Sequence, residues 1–118
     1  RCISIPMEMI EEKKGKALII EMKGRFDSNS SPEVEKRILD NLKEGYQAII
    51  LDFNKLEYIS SAGIRVFVYA ANEMEQEKMQ LAIASVPKQI ENVLYITGFL
   101  PYFQIFDSVD KTLSHFKI

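Results

Sequence analysis

The sequence contains one cysteine and one histidine. This scarcity excludes an internal disulfide and argues against a catalytic triad. Cys2 has no second cysteine to pair with, so an internal disulfide is impossible and a reducing, cytoplasmic compartment fits best. His115 lies near the chain end, and no serine or cysteine accompanies it with an orienting carboxylate in the order of a catalytic triad. Metal-ligand spacings and a glycine-rich phosphate loop are missing too. We therefore expect a protein that is not an enzyme and that holds no metal or other cofactor.

The sequence also has no large excess of one charge sign and no long apolar run. The 15 lysines and arginines are interleaved with 17 aspartates and glutamates, which leaves a net charge of −2. Because nucleic-acid binding needs clustered positive charge, we expect no direct contact with nucleic acid. No apolar run approaches the roughly 18 residues that a membrane helix needs, so we expect no membrane insertion.

The length of 118 residues fits one domain that spans residues 1–118. The chain starts at Arg1 rather than at methionine, so we expect a trimmed N-terminus. The hydrophobic fraction of 47% is ordinary for a globular protein of this size. Such a chain buries enough surface to fold without disulfide or metal staples.

The first part of the chain has the pattern of two strands followed by a helix. "PMEMIEE" and "KALIIEMK" place apolar residues with a period of two. "KKGK" (13–16) between them predicts a hairpin turn, and Gly24 is expected to end the second strand. Pro32 suits a first helical turn, and apolar residues then recur every fourth position in a helix expected to stop near Gly45.

The second part alternates strands and helices. "AIILDF" is apolar on both faces until Asp52, which is typical of a central strand covered on both sides. A helix is expected to begin near Ala62, and it is followed by the strand "MQLAIAS", a helix from Pro87 to Gly98, the strand "FQIF" and the helix "SVDKTLSHF". Helices between strands imply right-handed parallel crossovers. The pattern predicts an α/β domain with a mixed sheet of about five strands, a leading hairpin followed by parallel strands, and about four helices.

Asp52 raises one alternative. It resembles, by position, the phospho-acceptor aspartate that ends the third strand of a response-regulator receiver domain. A receiver would also need an acidic pair after its first strand and a lysine after its last one. Here "EEKK" falls in the expected hairpin and Lys111 falls inside a helix, so these residues disfavour a receiver.

The stretch "YISSAGIRVF" (58–67) joins the central strand to the next helix through small and polar residues. Ser60 or Ser61 is suited to cap the helix. Gly63 in the first turn disfavours a helix by roughly 0.5–1 kcal/mol relative to alanine, and small residues would leave the turn open to another protein. A serine at a helix N-terminus is also well placed for phosphorylation, because free N–H groups and the dipole favour an anion there. The residues leave both a cap and a docking or phosphorylation site open.

Three segments resemble the STAS domain family, which includes bacterial anti-sigma-factor antagonists and the tails of sulfate transporters. "LDFNKLEYISSAGIRVF" is similar to the family signature, with Ile64 in place of leucine. "MKGRFDSNSSPEVEKRI" is similar to the segment that leads into the first helix, and "SVPKQIENVLYITGFLPYFQIFDSVDKTL" to the later helix, turn and short strand. The resemblance covers nearly the whole chain in order and implies a STAS-like fold.

The resemblance also implies roles for individual residues. Aligning Gly63 with the family glycine places Ser61 at the position of the phosphorylated serine, and Ser60 where aspartate is usual. Asp27 matches an acid that helps to contact the partner kinase in the family. We expect Asp27 to be exposed, and its charge reversal to change stability by less than about 0.5 kcal/mol. Arg65 replaces a residue that is often small. The expected phosphorylation site is Ser61, with Ser60 as the less favoured position. The expected partner-binding residues are Asp27, Ser28, Asn29, Ser30, Ser31, Ser60, Ser61, Ala62, Gly63 and Arg65.

The function that the resemblance implies is that of an anti-sigma-factor antagonist in a bacterial partner-switching pathway that regulates transcription. The unmodified domain would bind an anti-sigma factor that is also a serine kinase, and serine phosphorylation would switch this binding off. A serine phosphatase is a further candidate partner. One alternative is a STAS interaction or scaffold module that is never phosphorylated. Another is the cytoplasmic STAS tail of an anion transporter, which the compact chain disfavours because such tails usually carry insertions.

Overall fold

The computed structural model describes residues 7–98, 101 and 103–118. Cys2 and part of the segment 99–102 therefore lie outside the described residues. The predicted α/β class, with a leading hairpin and then alternating helices and strands, is confirmed. The elements are β1 (Met7–Lys14), β2 (Ala17–Phe26), α1 (Ser31–Asp40), β3 (Ala48–Ile59), α2 (Ser61–Gln76), β4 (Gln80–Ala84), α3 (Lys88–Ile96), β5 (Gln104–Phe106) and α4 (Val109–Phe116).

The strands form one mixed sheet in the order β1-β2-β3-β4-β5. β1 pairs antiparallel with β2, and the remaining neighbours are parallel. The hairpin closes at the paired residues Lys14 and Ala17, and Gly15 between them has a φ of +59°, which glycine adopts at little cost. The turn lies where the sequence predicted it but is shorter than "KKGK", because Lys13 and Lys14 belong to β1.

Helices cover the two faces of the sheet unequally. The larger cluster of buried side chains joins the sheet to α1, α2 and α3. Phe67 of α2 lies within it, with its ring centroid 4.8 Å from that of Phe26 and 5.3 Å from that of Phe53. A smaller cluster around Ile19 and Ile50 packs against α4 on the other face. The larger cluster therefore holds α2 against the ends of β2 and β3, where the candidate site lies.

Gly24 does not end β2, so the sequence prediction is wrong at this position. Gly24 has a φ of +102° and lies where the pairing of β2 with β3 is irregular, and the strand continues to Phe26. A glycine at such an irregularity lets a strand bend without ending its ladder of hydrogen bonds. The extension buries Phe26 in the core and makes Asp27 the first residue after the strand.

β3 is longer than the predicted "AIILDF" and runs to Ile59. Its pairing with β2 is irregular at two places, and the buried residues there follow a period of three, at Phe53, Leu56 and Ile59. Because the sequence signal for a strand is a period of two, this segment was not predicted as strand. Asp52 consequently lies inside β3 and not at its end, which removes its positional resemblance to the aspartate of a receiver domain.

α1 ends at Asp40, before the predicted stop near Gly45. The chain continues in tighter turns, in which the N–H groups of Asn41 and Leu42 donate to carbonyls three residues earlier at 3.1 and 3.2 Å. Leu42 still packs against the larger core cluster, so the apolar spacing persists beyond the helix. Spacing alone could not distinguish the α-helix from these tighter turns.

Candidate functional site

The candidate site lies where β2 and β3 end side by side. Phe26 and Ile59, the last residues of the two strands, are paired, and the Ser60 N–H donates to the Phe26 carbonyl at 2.9 Å. Because the strands are parallel, the segments that follow them leave the same edge of the sheet. The structure thus brings the segment 27–31 next to the start of α2.

Asp27 organises the first of these segments. Its Oδ1 accepts hydrogen bonds from the N–H groups of Asn29 at 3.0 Å and Ser30 at 3.2 Å. The buried Ser30 hydroxyl accepts from the Asp27 N–H at 3.0 Å and donates to the Arg25 carbonyl at 3.1 Å. Asp27 is half-buried, so the expectation of an exposed acid is wrong, and the small stability effect expected for its charge reversal no longer follows from exposure. A lysine at position 27 would remove the acceptor that holds the turn.

The rest of this segment divides into exposed and buried residues. Ser28 and Asn29 are exposed, whereas Ser30 and Ser31 are buried at the start of α1. The Ser31 hydroxyl donates to the Ser28 carbonyl at 3.3 Å. Ser30 and Ser31 therefore support the turn from inside. The surface that this segment offers to another protein consists of Asp27, Ser28 and Asn29.

Ser60 caps α2. Its backbone is extended, with φ −98° and ψ 170°, and its Oγ accepts from the Gly63 N–H at 3.2 Å. Its carbonyl accepts from the Ile64 N–H at 3.0 Å and so begins the helical hydrogen bonds. This is the geometry of a serine N-cap. Of the two serines that the sequence left open, Ser60 is the cap.

Ser61 is the first residue of α2 and is exposed. Within the part of the chain that the structure describes, the side-chain hydrogen bonds at this turn involve the Ser60 hydroxyl and not that of Ser61. The neighbouring Ala62 is half-buried and adds only a methyl group. The hydroxyl that this fold does not use is therefore the one that the family resemblance assigns to phosphorylation.

Gly63 is buried against the strand ends. A Cβ built on it would lie 3.1 Å from both the Cγ and the carbonyl oxygen of Phe26, and 3.2 Å from the Cγ1 of Ile59. The missing side chain lets the first turn of α2 pack directly on β2 and β3. The interpretation that Gly63 leaves the turn open to another protein is therefore wrong. The open part of the turn consists of Ser61 and Ala62.

An exposed stripe continues from Ser61 along α2. Arg65 and Tyr69 follow at intervals of four residues, and both are exposed, Tyr69 with 46% of its surface. Residues four apart lie on the same face of a helix. The sequence analysis did not single out Tyr69, although its position four residues after Arg65 was a usable signal.

A second exposed aromatic residue lies next to the site. Tyr58 in β3 is 39% exposed, and the guanidinium carbon of Arg25 lies 4.3 Å from its ring centroid. The two residues are paired across β2 and β3, so this cation–π contact joins the strand ends. The pair was not readable in the sequence, because its register follows from the irregular pairing of the two strands.

The residues considered for other chemistry, His115 in α4 and Asp52 in the middle of β3, are not among the residues at the strand ends. The His115 ring in α4 is near Phe106 and Phe116, at centroid distances of 5.0 and 5.1 Å. Asp52 Oδ1 accepts from the Asn54 N–H at 3.0 Å. Among residues 7–98, 101 and 103–118, no group of three or more His, Cys, Asp or Glu side chains could hold a metal ion. No helix within those ranges has the length and hydropathy that a membrane crossing needs.

Comparison with known proteins defines the class. The sequence matches the model of the STAS domain family over residues 8–112, and the chain belongs to this family. The resemblance seen in the sequence is thereby confirmed. BtrV of Bordetella bronchiseptica, described as a candidate anti-sigma factor antagonist, is 28% identical over 111 residues, which are 94% of this chain and 96% of that protein.

Solved structures share the fold. An anti-sigma factor antagonist from Mycobacterium paratuberculosis has a TM-score of 0.85 at 16% identity, over 98% of this chain and 100% of that chain. The anti-sigma factor antagonist SpoIIAA, a cell fate determinant of Bacillus, has been solved unphosphorylated and phosphorylated. Its two forms have TM-scores of 0.81 and 0.72, both at 14% identity, over 93% and 92% of this chain and 96% and 98% of theirs. At these identities the likeness shows the fold alone.

Proposed function

We propose that this domain is an anti-sigma-factor antagonist that acts by protein–protein binding and is switched off by phosphorylation of Ser61. The observation that carries the proposal is the difference between two adjacent serines. Ser60 caps α2 through its hydroxyl, whereas the exposed Ser61 is not needed for the cap. A kinase could therefore modify Ser61 without opening the helix. The descriptions of BtrV and SpoIIAA support the role, and the phosphorylated form of SpoIIAA supports a switch of this kind.

The proposed partner is an anti-sigma factor with serine kinase activity, and it binds a surface that we term the docking face. The residues of the docking face are exposed or half-buried and surround the paired ends of β2 and β3. The small side chains at the start of α2 let a partner's backbone approach closely. The mixture of one acid, one base and small polar groups suits a reversible interface. The docking face consists of Asp27, Ser28, Asn29, Ser61, Ala62 and Arg65.

Phosphorylation would add about −1.5 to −2 charges and three acceptor oxygens at the first residue of α2. The helix N-terminus tolerates an anion, because its free N–H groups and its dipole are favourable to one. The fold is therefore retained. A partner packed against Ser61 and Ala62 would lose its contacts through steric overlap and through the cost of burying the phosphate charge. The same modification thus leaves the domain intact and expels the partner.

A constitutive interaction module is the second candidate function. The observation that favours it is Ser60, which stands where the family signature usually carries an aspartate. In this case the docking face would bind its partner permanently, and Ser61 would never be modified.

Affinity measurements on Ser61 variants test the proposal. A candidate partner from the same organism, an anti-sigma factor with a serine kinase domain, is purified and titrated against the parent, Ser61→Ala and Ser61→Asp in a calorimeter. We expect Ser61→Ala to bind like the parent and Ser61→Asp to bind at least about tenfold more weakly, which corresponds to ~1.4 kcal/mol. Ser114→Asp is the matched control, because it adds the same charge at an exposed position of α4. Parent-like affinity of Ser61→Asp contradicts the switch, and an absence of binding by the parent contradicts the antagonist role.

A further inference from the structure

We propose that Arg65 is the internal counter-ion of phosphorylated Ser61 and stabilises the phosphorylated state. This inference rests on the proposed function, because it concerns the modified form of the same serine. Ser61 begins α2 and Arg65 follows one turn later. Side chains four residues apart lie on one helix face, with Cβ atoms about 5–6 Å apart. A phosphate on Ser61 is therefore within reach of the long arginine side chain.

Arg65 is available for this role. It is exposed, and the ion pairs found among the described residues involve Lys36, Arg37 and Lys111 as the cations. Its neighbours three and four positions away on α2 carry no carboxylate. These neighbours are Ser61, Ala62, Val68 and Tyr69. On its own helix, the phosphate would be the first anion within one turn of the guanidinium group.

The order of the two groups is also favourable. An anion that precedes a cation by four residues agrees with the helix dipole and is the better orientation of such a pair. The planar guanidinium can form two parallel hydrogen bonds with phosphate oxygens. In the unmodified protein Arg65 belongs to the docking face. Pairing with the phosphate would withdraw this cation from the partner, so one modification would both add an anion to the docking face and occupy its cation.

Phosphoserine inserted at position 61 by an expanded genetic code tests the pair without any kinase. The second pKa of the phosphate is measured by ³¹P NMR in the phosphorylated parent and in Arg65→Gln and Lys78→Gln. The last variant is the matched control, because Lys78 is exposed and follows the far end of α2, more than roughly 20 Å from Ser61 at 1.5 Å per residue. A nearby cation favours the dianion and lowers the pKa of the phosphate. We expect Arg65→Gln to raise this pKa by a few tenths of a pH unit and Lys78→Gln to leave it unchanged.

Salt and heat give two further measurements. The difference between the parent and Arg65→Gln should shrink in 1 M NaCl, because salt screens exposed charges. The phosphate should also raise the Tm of the parent more than it raises the Tm of Arg65→Gln.

The same phosphate pKa in the parent and in Arg65→Gln overturns the inference, as does an equal shift of this pKa in Lys78→Gln. Such a result would leave the proposed switch standing, since partner affinity is measured separately. Conversely, the pair can form in this protein even if no kinase modifies Ser61.

Discussion

At the scale of single residues, three of the four small residues at the start of α2 have different roles. Ser60 supplies the capping oxygen, Ser61 faces solvent, and Gly63 packs against the strand ends. In the sequence all three are simply small. The structure distinguishes them by the atoms that each one contacts, and each role predicts a different effect of the substitution to alanine.

The two serines should differ in their contribution to stability. Ser60→Ala should lower the free energy of unfolding by about 1 kcal/mol, because the N-cap is lost. Ser61→Ala should change it by less than about 0.5 kcal/mol, as expected for an exposed hydroxyl without a structural partner. Urea titrations followed by circular dichroism measure both values. Equal losses in the two variants would show that Ser61 shares the capping role, in conflict with the assignment made here.

Gly63→Ala should reverse the usual effect of this substitution in a helix. Helix propensity alone would stabilise the variant by up to about 1 kcal/mol. The new Cβ would instead lie 3.1 Å from the backbone carbonyl oxygen of Phe26, which cannot rotate away as a side chain can. We expect destabilisation by about 1–3 kcal/mol in urea titration. Asn72→Ala, at an exposed position of α2, is the control and should be close to neutral. A Gly63→Ala variant more stable than the parent would refute the close packing.

At the scale of elements, the sequence predicted the order and the class but not the strand ends. Periodicity reports which side chains face a core, whereas a strand ends where its pairing with a neighbour ends. Gly24 predicts the end of a strand, because glycine weakens a strand interior, yet β2 continues to pair with β3 beyond it. The missed ends matter for function, because Phe26 and Ile59 place the two segments of the site side by side.

The site was predictable only in part for a similar reason. Position in the family signature predicts that Asp27 and Ser61 both follow strands, and the structure brings the ends of those two strands together. Whether Ser30 or Gly63 is buried depends on how closely another element approaches, and no local pattern carries that information. The same holds for Asp27, whose hydrogen bonds to the turn that follows it were not anticipated.

The irregular half of β3 provides a test at this scale. Simple alternation from Phe53 would turn Glu57 inward, whereas the structure buries Leu56 and exposes Glu57. Leu56→Ala should therefore cost about 2–4 kcal/mol of stability, as buried leucines usually do. Glu57→Ala should stay within about 0.5 kcal/mol. Urea titration of both variants is the measurement. A larger loss in Glu57→Ala than in Leu56→Ala would contradict the register of β3.

At the scale of the whole molecule, Ser61, the proposed switch residue, lies outside the packed core. The large cluster between the sheet and α1, α2 and α3 does not include Ser61. Phosphorylation there would change the surface charge, starting from a net charge of −2, and not the packing. We expect the phosphorylated and unmodified proteins to have the same circular dichroism spectrum in the near and far ultraviolet. Loss of the near-ultraviolet signal on phosphorylation would mean that the modification acts through the fold.

The central claim is that Ser61 is the switch residue, and phosphorylation by the partner tests it most directly. The parent, Ser60→Ala and Ser61→Ala are each incubated with the anti-sigma factor kinase and ATP, and intact mass is measured over time. The account predicts one phosphate on the parent and on Ser60→Ala, because the cap is dispensable for modification, and none on Ser61→Ala. Modification of Ser61→Ala as readily as the parent, or a parent that binds the active kinase without ever gaining a phosphate, would contradict it.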